Sequence, residues 1–170
     1  VAIAKRTGAT IIANYEIAMF CAGQGANVHP LHIGGSRQFP FGRVKLTLAL
    51  HGSAYQTESG FIYMGNPCGF VITAEDKTIY HAGDTGLFLD MQLIGQRQKI
   101  DVALLPIGDN FTMGVDDAVA AVEMVKPRVV VPMHYDTFDV IHADAKEFAS
   151  KAAKTGARVE VLAVGQSLEV

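Results

Sequence analysis

The sequence predicts a mixed α/β fold, with parallel and antiparallel strands flanked by helices. Three observations predict it. Between residues 43 and 50, Val44, Leu46, Leu48 and Leu50 alternate with Lys45, Thr47 and Ala49, the period-two pattern of a strand with one buried face. Residues 102–106 and 128–132 are short apolar runs of the kind that fill fully buried strands. Residues 116–125 gather Ala118, Val119, Val122 and Val125 on one side, the mark of an amphipathic helix.

The remaining elements follow in order. Residues 1–7 read as the tail of a helix stopped by Gly8. Thr10-Ile11-Ile12-Ala13 is a short buried strand, and Asn14 caps a helix from Tyr15 to about Ala22 with Glu16 in its first turn. A second extended segment begins at residues 27–29, and Gly34-Gly35-Ser36 is a turn. The polar stretch 56–60 reads as a mobile loop. Residues 69–74 and 77–82 form a hairpin around Glu75-Asp76. Residues 88–94 look helical, and 144–154 is a helix with late lysines and Gly156 as its stop. Short strands near 159–161 and 167–170 close the chain. Hairpins dominate the first half, and strand alternates with helix in the second. No repeat or linker divides the 170 residues, so a single domain over 1–170 is expected.

Composition narrows the function. Hydrophobic residues make up 49% and charged ones 18%, which excludes the disordered class. The net charge is −3 with no run of Lys or Arg, which argues against nucleic acid as a partner. No apolar run is long enough for a bilayer and no signal-peptide pattern opens the chain, so the cytoplasm is the expected compartment, with no membrane partner. Cys21 and Cys68 form no CxxC or Cys/His cluster and are expected to be free thiols.

Three polar residues share one situation. His51 follows LTLAL, Asp84 follows IYHAG and His134 follows VVVPM. Residues just past strand ends converge on one rim of a sheet, where sites form. Two imidazoles and a carboxylate suit Zn, Mn or Fe. No GxSxG occurs, so a serine nucleophile is not indicated. Asp109 and Asn110 follow the strand ending LLPIG on the same expected rim, where they suit substrate binding, and Thr112 suits a cap of the next helix. His81, Ser36 and Tyr135 are further residues that could support a site. Asp84-Thr85-Gly86 also spells the aspartic-protease triplet. It occurs once, and the helical segments do not suit an all-β protease. Neither GxGxxG after a strand nor GxxxxGK[ST] is present for a nucleotide fold.

His51, the Gly83-Asp84-Thr85 run and Met133-His134 after a run of valines resemble three late motifs of the metallo-β-lactamase superfamily. HIGGS (His32 to Ser36), LPIGDNFTMG (Leu105 to Gly114) and VVPMHY (Val130 to Tyr135) resemble UPF0173-type metal-dependent hydrolases over nearly the whole chain. The resemblance implies an αββα sandwich with a two-metal site at one edge. His51 would ligate one metal, Asp84 would bridge both and act in catalysis, and His134 would ligate the second. The implied cofactor is a divalent metal, zinc first, with manganese or iron as alternatives, two in a complete site. The implied activity is attack by a metal-bound hydroxide on a small-molecule ester, lactone, amide or phosphodiester.

One departure stands out. The superfamily's HxHxDH signature does not occur in these 170 residues, and His29 and His32 form an HxxH with no Asp-His behind it. The chain therefore reads as the C-terminal portion of such a hydrolase, N-terminally incomplete. The rest is deleted, cleaved, or supplied by a complementing N-terminal polypeptide. Self-association through uncovered core surface is then expected. A degenerate hydrolase fold serving binding or assembly is the alternative.

Overall fold

A computed structural model describes residues 1–169. Its elements, in chain order, are α1 (Ala2–Thr7), β1 (Ile11–Asn14), α2 (Tyr15–Gly23), β2 (Val28–Leu31), β3 (Ser36–Phe39), β4 (Gly42–Leu48), β5 (Ala54–Thr57), β6 (Gly60–Tyr63), β7 (Cys68–Ala74), β8 (Lys77–His81), α3 (Met91–Arg97), β9 (Val102–Pro106), α4 (Val115–Val125), β10 (Val129–Met133), α5 (Ala145–Ala152) and β11 (Arg158–Val159). Single 3₁₀ turns lie at Asp139–Ile141 and Ala153–Thr155.

Seven strands form the main sheet in the order β11-β10-β9-β8-β7-β4-β3. Strands β8, β9, β10 and β11 are parallel neighbours, whereas β3, β4, β7 and β8 pair antiparallel in succession. Because β4 runs antiparallel to β7, and β7 to β8, strand β4 points the same way as β8, β9 and β10. The C-terminal ends of all four therefore share one edge of the sheet. Positioning of the site depends on this geometry.

Side chains alternate across the sheet. On one face Val71, Tyr80, Ala103, Leu105 and Val130 join buried residues of α3, α4 and α5, including Met91, Ala118, Val122 and Phe148. Full burial of a side chain such as Phe148 contributes about 1.5–3 kcal/mol relative to exposure. A smaller cluster, Val102, Val129 and Val131, lies on the opposite face with Ile79 and Leu104. The parallel pair β1–β2 carries α2 and is tied to β4 through the Ile33–Leu46 bridge.

Local chemistry explains the helix ends. Asn14 Oδ1 accepts from Ile17 N–H at 2.9 Å, the expected cap. Its amide nitrogen donates to the Met64 and Asn66 carbonyls at 2.9 and 3.0 Å, so a side chain that is 2% exposed has its polar groups satisfied. Asp144 caps α5 by accepting from Lys146 and Glu147 N–H. Gly8 and Gly156, at φ 72° and 91°, supply the left-handed stops expected of them.

Several expectations are corrected. The stretch 56–60 is not a loop: it belongs to the hairpin of β5 and β6, which pairs Ala54 with Tyr63 and Thr57 with Gly60. Its strands are exposed, so no buried alternation marks them in sequence. Strand β3 is likewise short and half-exposed. The third helix begins at Met91 rather than at 88. Thr112 caps nothing; Gly114 occupies the N-cap of α4 without a side-chain bond, and the Thr112 hydroxyl turns to the Met113 carbonyl. The strand expected at 159–161 is Arg158–Val159. No strand forms over Ser167–Glu169, and Val170, the last residue of the expected 167–170 strand, lies outside the described residues. Both cysteines are free, as expected.

Candidate metal centre

The shared edge gathers the residues that follow β4, β8, β9 and β10: His51, Asp84, Asp109 and His134. Asp84 Oδ2 and His134 Nε2 lie 3.6 Å apart. That is longer than an N–H···O hydrogen bond. Two ligands each about 2.0–2.1 Å from one tetrahedral cation stand roughly 3.3 Å from each other, so the pair is spaced to share an ion. An unprotonated imidazole nitrogen and a carboxylate oxygen facing one point form a donor set suited to a divalent metal.

Backbone geometry aims these groups. His134 has φ 54°, and Asp109, Asn110 and Asp136 have φ 58°, 51° and 56°. Among the described residues, four of the six non-glycine residues in the left-handed region therefore cluster on this edge. Non-glycine residues held there store strain of about 1–3 kcal/mol each, which persists where the surroundings fix the backbone. Gly108 helps to fix it. A Cβ at Gly108 would collide with the His134 carbonyl and come within 2.9 Å of Ile141 Cβ. Asp84 is aimed by the turn before it. Gly83, at φ 70°, donates its N–H to His81 Nδ1 at 3.1 Å. Burial lowers the His81 pKa against the opposing pull of Asp84, so the ring is held neutral and can accept that bond.

Thr85, fully buried, ties the edge together. Its hydroxyl accepts from Leu50 N–H at 2.9 Å and donates to the Gly86 carbonyl at 2.7 Å. Gly86 N–H donates to the Leu50 carbonyl, and Met113 N–H to the Thr85 carbonyl. The loops bearing His51, Asp84 and Asp109 are thus joined through one residue. In the sequence Thr85 stands only as part of GDT and Gly108 only as part of LPIGDN, with no chemistry of their own to mark them. The signal for Thr85 is a hydroxyl placed directly after the Asp84 carboxylate.

His51 sits on this edge but does not close the set. Its ring is exposed, with Nδ1 2.9 Å from the Gly52 carbonyl oxygen. A carbonyl only accepts, so Nδ1 is the donor in this contact, which leaves Nε2 as the ring's other nitrogen to face a metal. Among the described residues no three His, Cys, Asp or Glu side chains converge as a metal-holding group. The expected trio is thus a pair, Asp84 with His134, and a tethered neighbour.

Asp109 and Asn110 are exposed on the same edge. The Asp109 carboxylate accepts from Asn110 N–H at 2.7 Å, and its backbone carbonyl from Phe111 and Thr112. Its side chain shapes its own turn and lies against Gly114. Tyr135 packs on the main core. Ser36 pairs with Lys45 at the start of β3 and is engaged by Arg43 at 2.6 Å. His29 packs edge-on against Phe39 and His32 against Tyr15, so neither belongs to the pair. Burial pushes the Cys68 thiol pKa up, which makes it a poor nucleophile. No helix among the described residues is long and apolar enough to cross a membrane.

A mixed sheet with helices on its face and a histidine–carboxylate pair at its strand ends is the architecture of metallo-β-lactamase-fold hydrolases. Comparison with known proteins agrees: residues 2–135 match the family model described as the beta-lactamase superfamily domain. A UPF0173 metal-dependent hydrolase of Pelotomaculum thermopropionicum is 54% identical over 172 residues, covering 100% of this chain and 75% of the relative. One from Geobacillus sp. is 54% identical over 171 residues, with 100% and 75% covered. Among solved structures, Igni18, a metallo hydrolase from the archaeon Ignicoccus hospitalis, superposes with a TM-score of 0.87 at 38% identity, covering 98% of this chain and 71% of that one. An isothiocyanate hydrolase from Delia radicum gut bacteria shares the fold, with a TM-score of 0.71 at 21% identity over 95% of this chain and 67% of that one. The chain belongs to the beta-lactamase superfamily, among the UPF0173 metal-dependent hydrolases. It is an enzyme of the metal-dependent hydrolase class.

Proposed function

We propose that the chain hydrolyses a small ester, lactone, amide or phosphodiester at the edge formed by His51, Asp84 and His134. The carrying observation is the 3.6 Å separation of Asp84 Oδ2 and His134 Nε2. Asp84 and His134 would hold a divalent ion, zinc before manganese or iron, with His51 Nε2 free to join. Such an ion supplies an acidified water and a Lewis acid for the substrate oxygen.

The chain's own residues do the rest. The second Asp84 oxygen is free to bind a second cation or to take the proton released by water. Asp109 and Asn110 border the edge and orient the substrate. Thr85 keeps the three loops in register, since small displacements of ligands are costly to catalysis. Further ligands for a two-metal site would come from a complementing segment or polypeptide beyond these 170 residues, and self-association belongs to the same proposal.

Elemental analysis of the dialysed protein tests this. One metal per chain, lost in His134→Ala and Asp84→Asn, supports the pair as the metal site. Two per chain means that the additional ligands are present. Near zero in the parent chain would sink the proposal and favour the alternative, a degenerate hydrolase fold that binds or assembles. The lack of a third converging ligand among the described residues is the observation that favours this alternative.

A further inference from the structure

The other end of the sheet carries a groove that the hydrolytic edge does not use. It has a volume of about 1080 Å³ and lies between α3 and the face of β3, β4 and β7. Arg43 stands where β4 begins and Glu75 just after β7 ends, whereas the metal pair sits beyond the C-terminal ends of β8 and β10. The two places are at opposite ends of the same strands.

The charge in the groove is unbalanced. Arg43, Lys45 and Arg97 line it against the single carboxylate of Glu75, which leaves two positive charges. All three cations are exposed, and none pairs with a carboxylate among the described residues. Arg43 is oriented by Ser36 Oγ, which accepts from two of its nitrogens at 3.1 and 2.6 Å.

A second observation is independent of charge. Thr47 and Tyr80 form the groove's buried floor: the pairings Thr47 with Gly69, Lys45 with Val71 and Val71 with Tyr80 put these residues on one face, where the two buried hydroxyls face each other. At the groove's mouth Phe41 is 54% exposed and stacks on Phe39, with centroids 5.5 Å apart. It presents a flat apolar surface beside the cations.

We propose that this groove is a second ligand site, for a small organic phosphate monoester. Its phosphoryl group lies among Arg43, Lys45 and Arg97, and its planar portion lies on Phe41. A phosphate monoester carries about −1.5 to −2 charges at pH 7, which matches the surplus. Arginine forks suit its oxygens.

The probe is AMP, followed by amide chemical-shift mapping of the whole chain at fixed ionic strength, with adenosine as the control. The expected result is saturable shifts at Lys45, Thr47 and Arg97, absent with adenosine. Lys45→Gln with Arg97→Gln should weaken AMP binding at least tenfold. Both side chains are exposed, so the fold should be kept, and an unchanged Tm checks it. Shifts confined to the Asp84–His134 edge would overturn the site, as would undiminished binding in the double variant. Groove shifts that follow protein concentration without AMP would assign the groove to a second copy and overturn it too.

Discussion

The Thr85 hydroxyl accepts a hydrogen bond from the Leu50 N–H at 2.9 Å, and so couples the turn after the Asp84 carboxylate to the segment that carries His51. Neither residue is a metal ligand. Replacing Thr85 by Val keeps the shape and removes the hydroxyl. Leu50 N–H then lacks its partner, at a cost of roughly 1–3 kcal/mol. Metal affinity should fall about 10–100-fold, the usual effect of losing a support behind the ligands. Thr85→Ser should restore most of it. Equal metal affinity in the Val variant and the parent would show that the clasp does not position the edge.

The two histidines should behave unequally. His134 faces Asp84, while His51 is exposed and turned onto its own Gly52 carbonyl. His134→Ala should abolish retention of metal through dialysis. His51→Ala should leave a measurable fraction of it. Elemental analysis of both variants at one protein concentration decides this, and the reverse ranking would shift the primary site toward His51.

Gly108 gives a steric prediction. Gly108→Ala puts a methyl group against the His134 carbonyl and Ile141 Cβ, where backbone cannot give way cheaply. Overpacking of this kind costs about 1–3 kcal/mol. His134 is already at φ 54°, so the strain should reach it directly. A lowered Tm together with lost metal binding is expected. A lowered Tm with full metal retention would separate the packing from the site.

The core was legible in the sequence where burial imposes a period. Val44, Leu46 and Leu48 alternate because one face of β4 is covered, and residues 102–106 and 129–133 are apolar because both faces are. The hairpin of β5 and β6 was not legible, because Phe61, Ile62 and Tyr63 are exposed and nothing requires alternation there. At the site, residue type and strand-end position singled out Asp84 and His134, which the fold brings within 3.6 Å of each other. They could not show that His51 turns away from the pair, which depends on local backbone and one carbonyl. Gly108 and Thr85 act through contacts distant in sequence, which no local pattern reports.

Asp101 carries the last prediction. It is 6% exposed, and its carboxylate accepts from Thr78 N–H at 3.0 Å. Arg128 Nε stands 3.6 Å away. Its backbone also joins the sheet, accepting from Val129 N–H and donating to the Thr78 carbonyl. The Thr78 bond, helped by Lys99, Lys77 and Arg128 and opposed by burial, holds its pKa below the ordinary aspartate value. A carboxylate with a depressed folded pKa favours the native state above the unfolded value of about 3.9. That stability is lost as pH falls below about 4 toward the folded pKa. Asp101→Ala strands the Thr78 N–H and should cost about 1–3 kcal/mol at neutral pH. The parent should lose stability on acidification, and the variant should lose less over the same range. Denaturant midpoints of both proteins at pH 7 and pH 3 measure this. Parallel losses in the two proteins would show that other carboxylates govern the acid sensitivity.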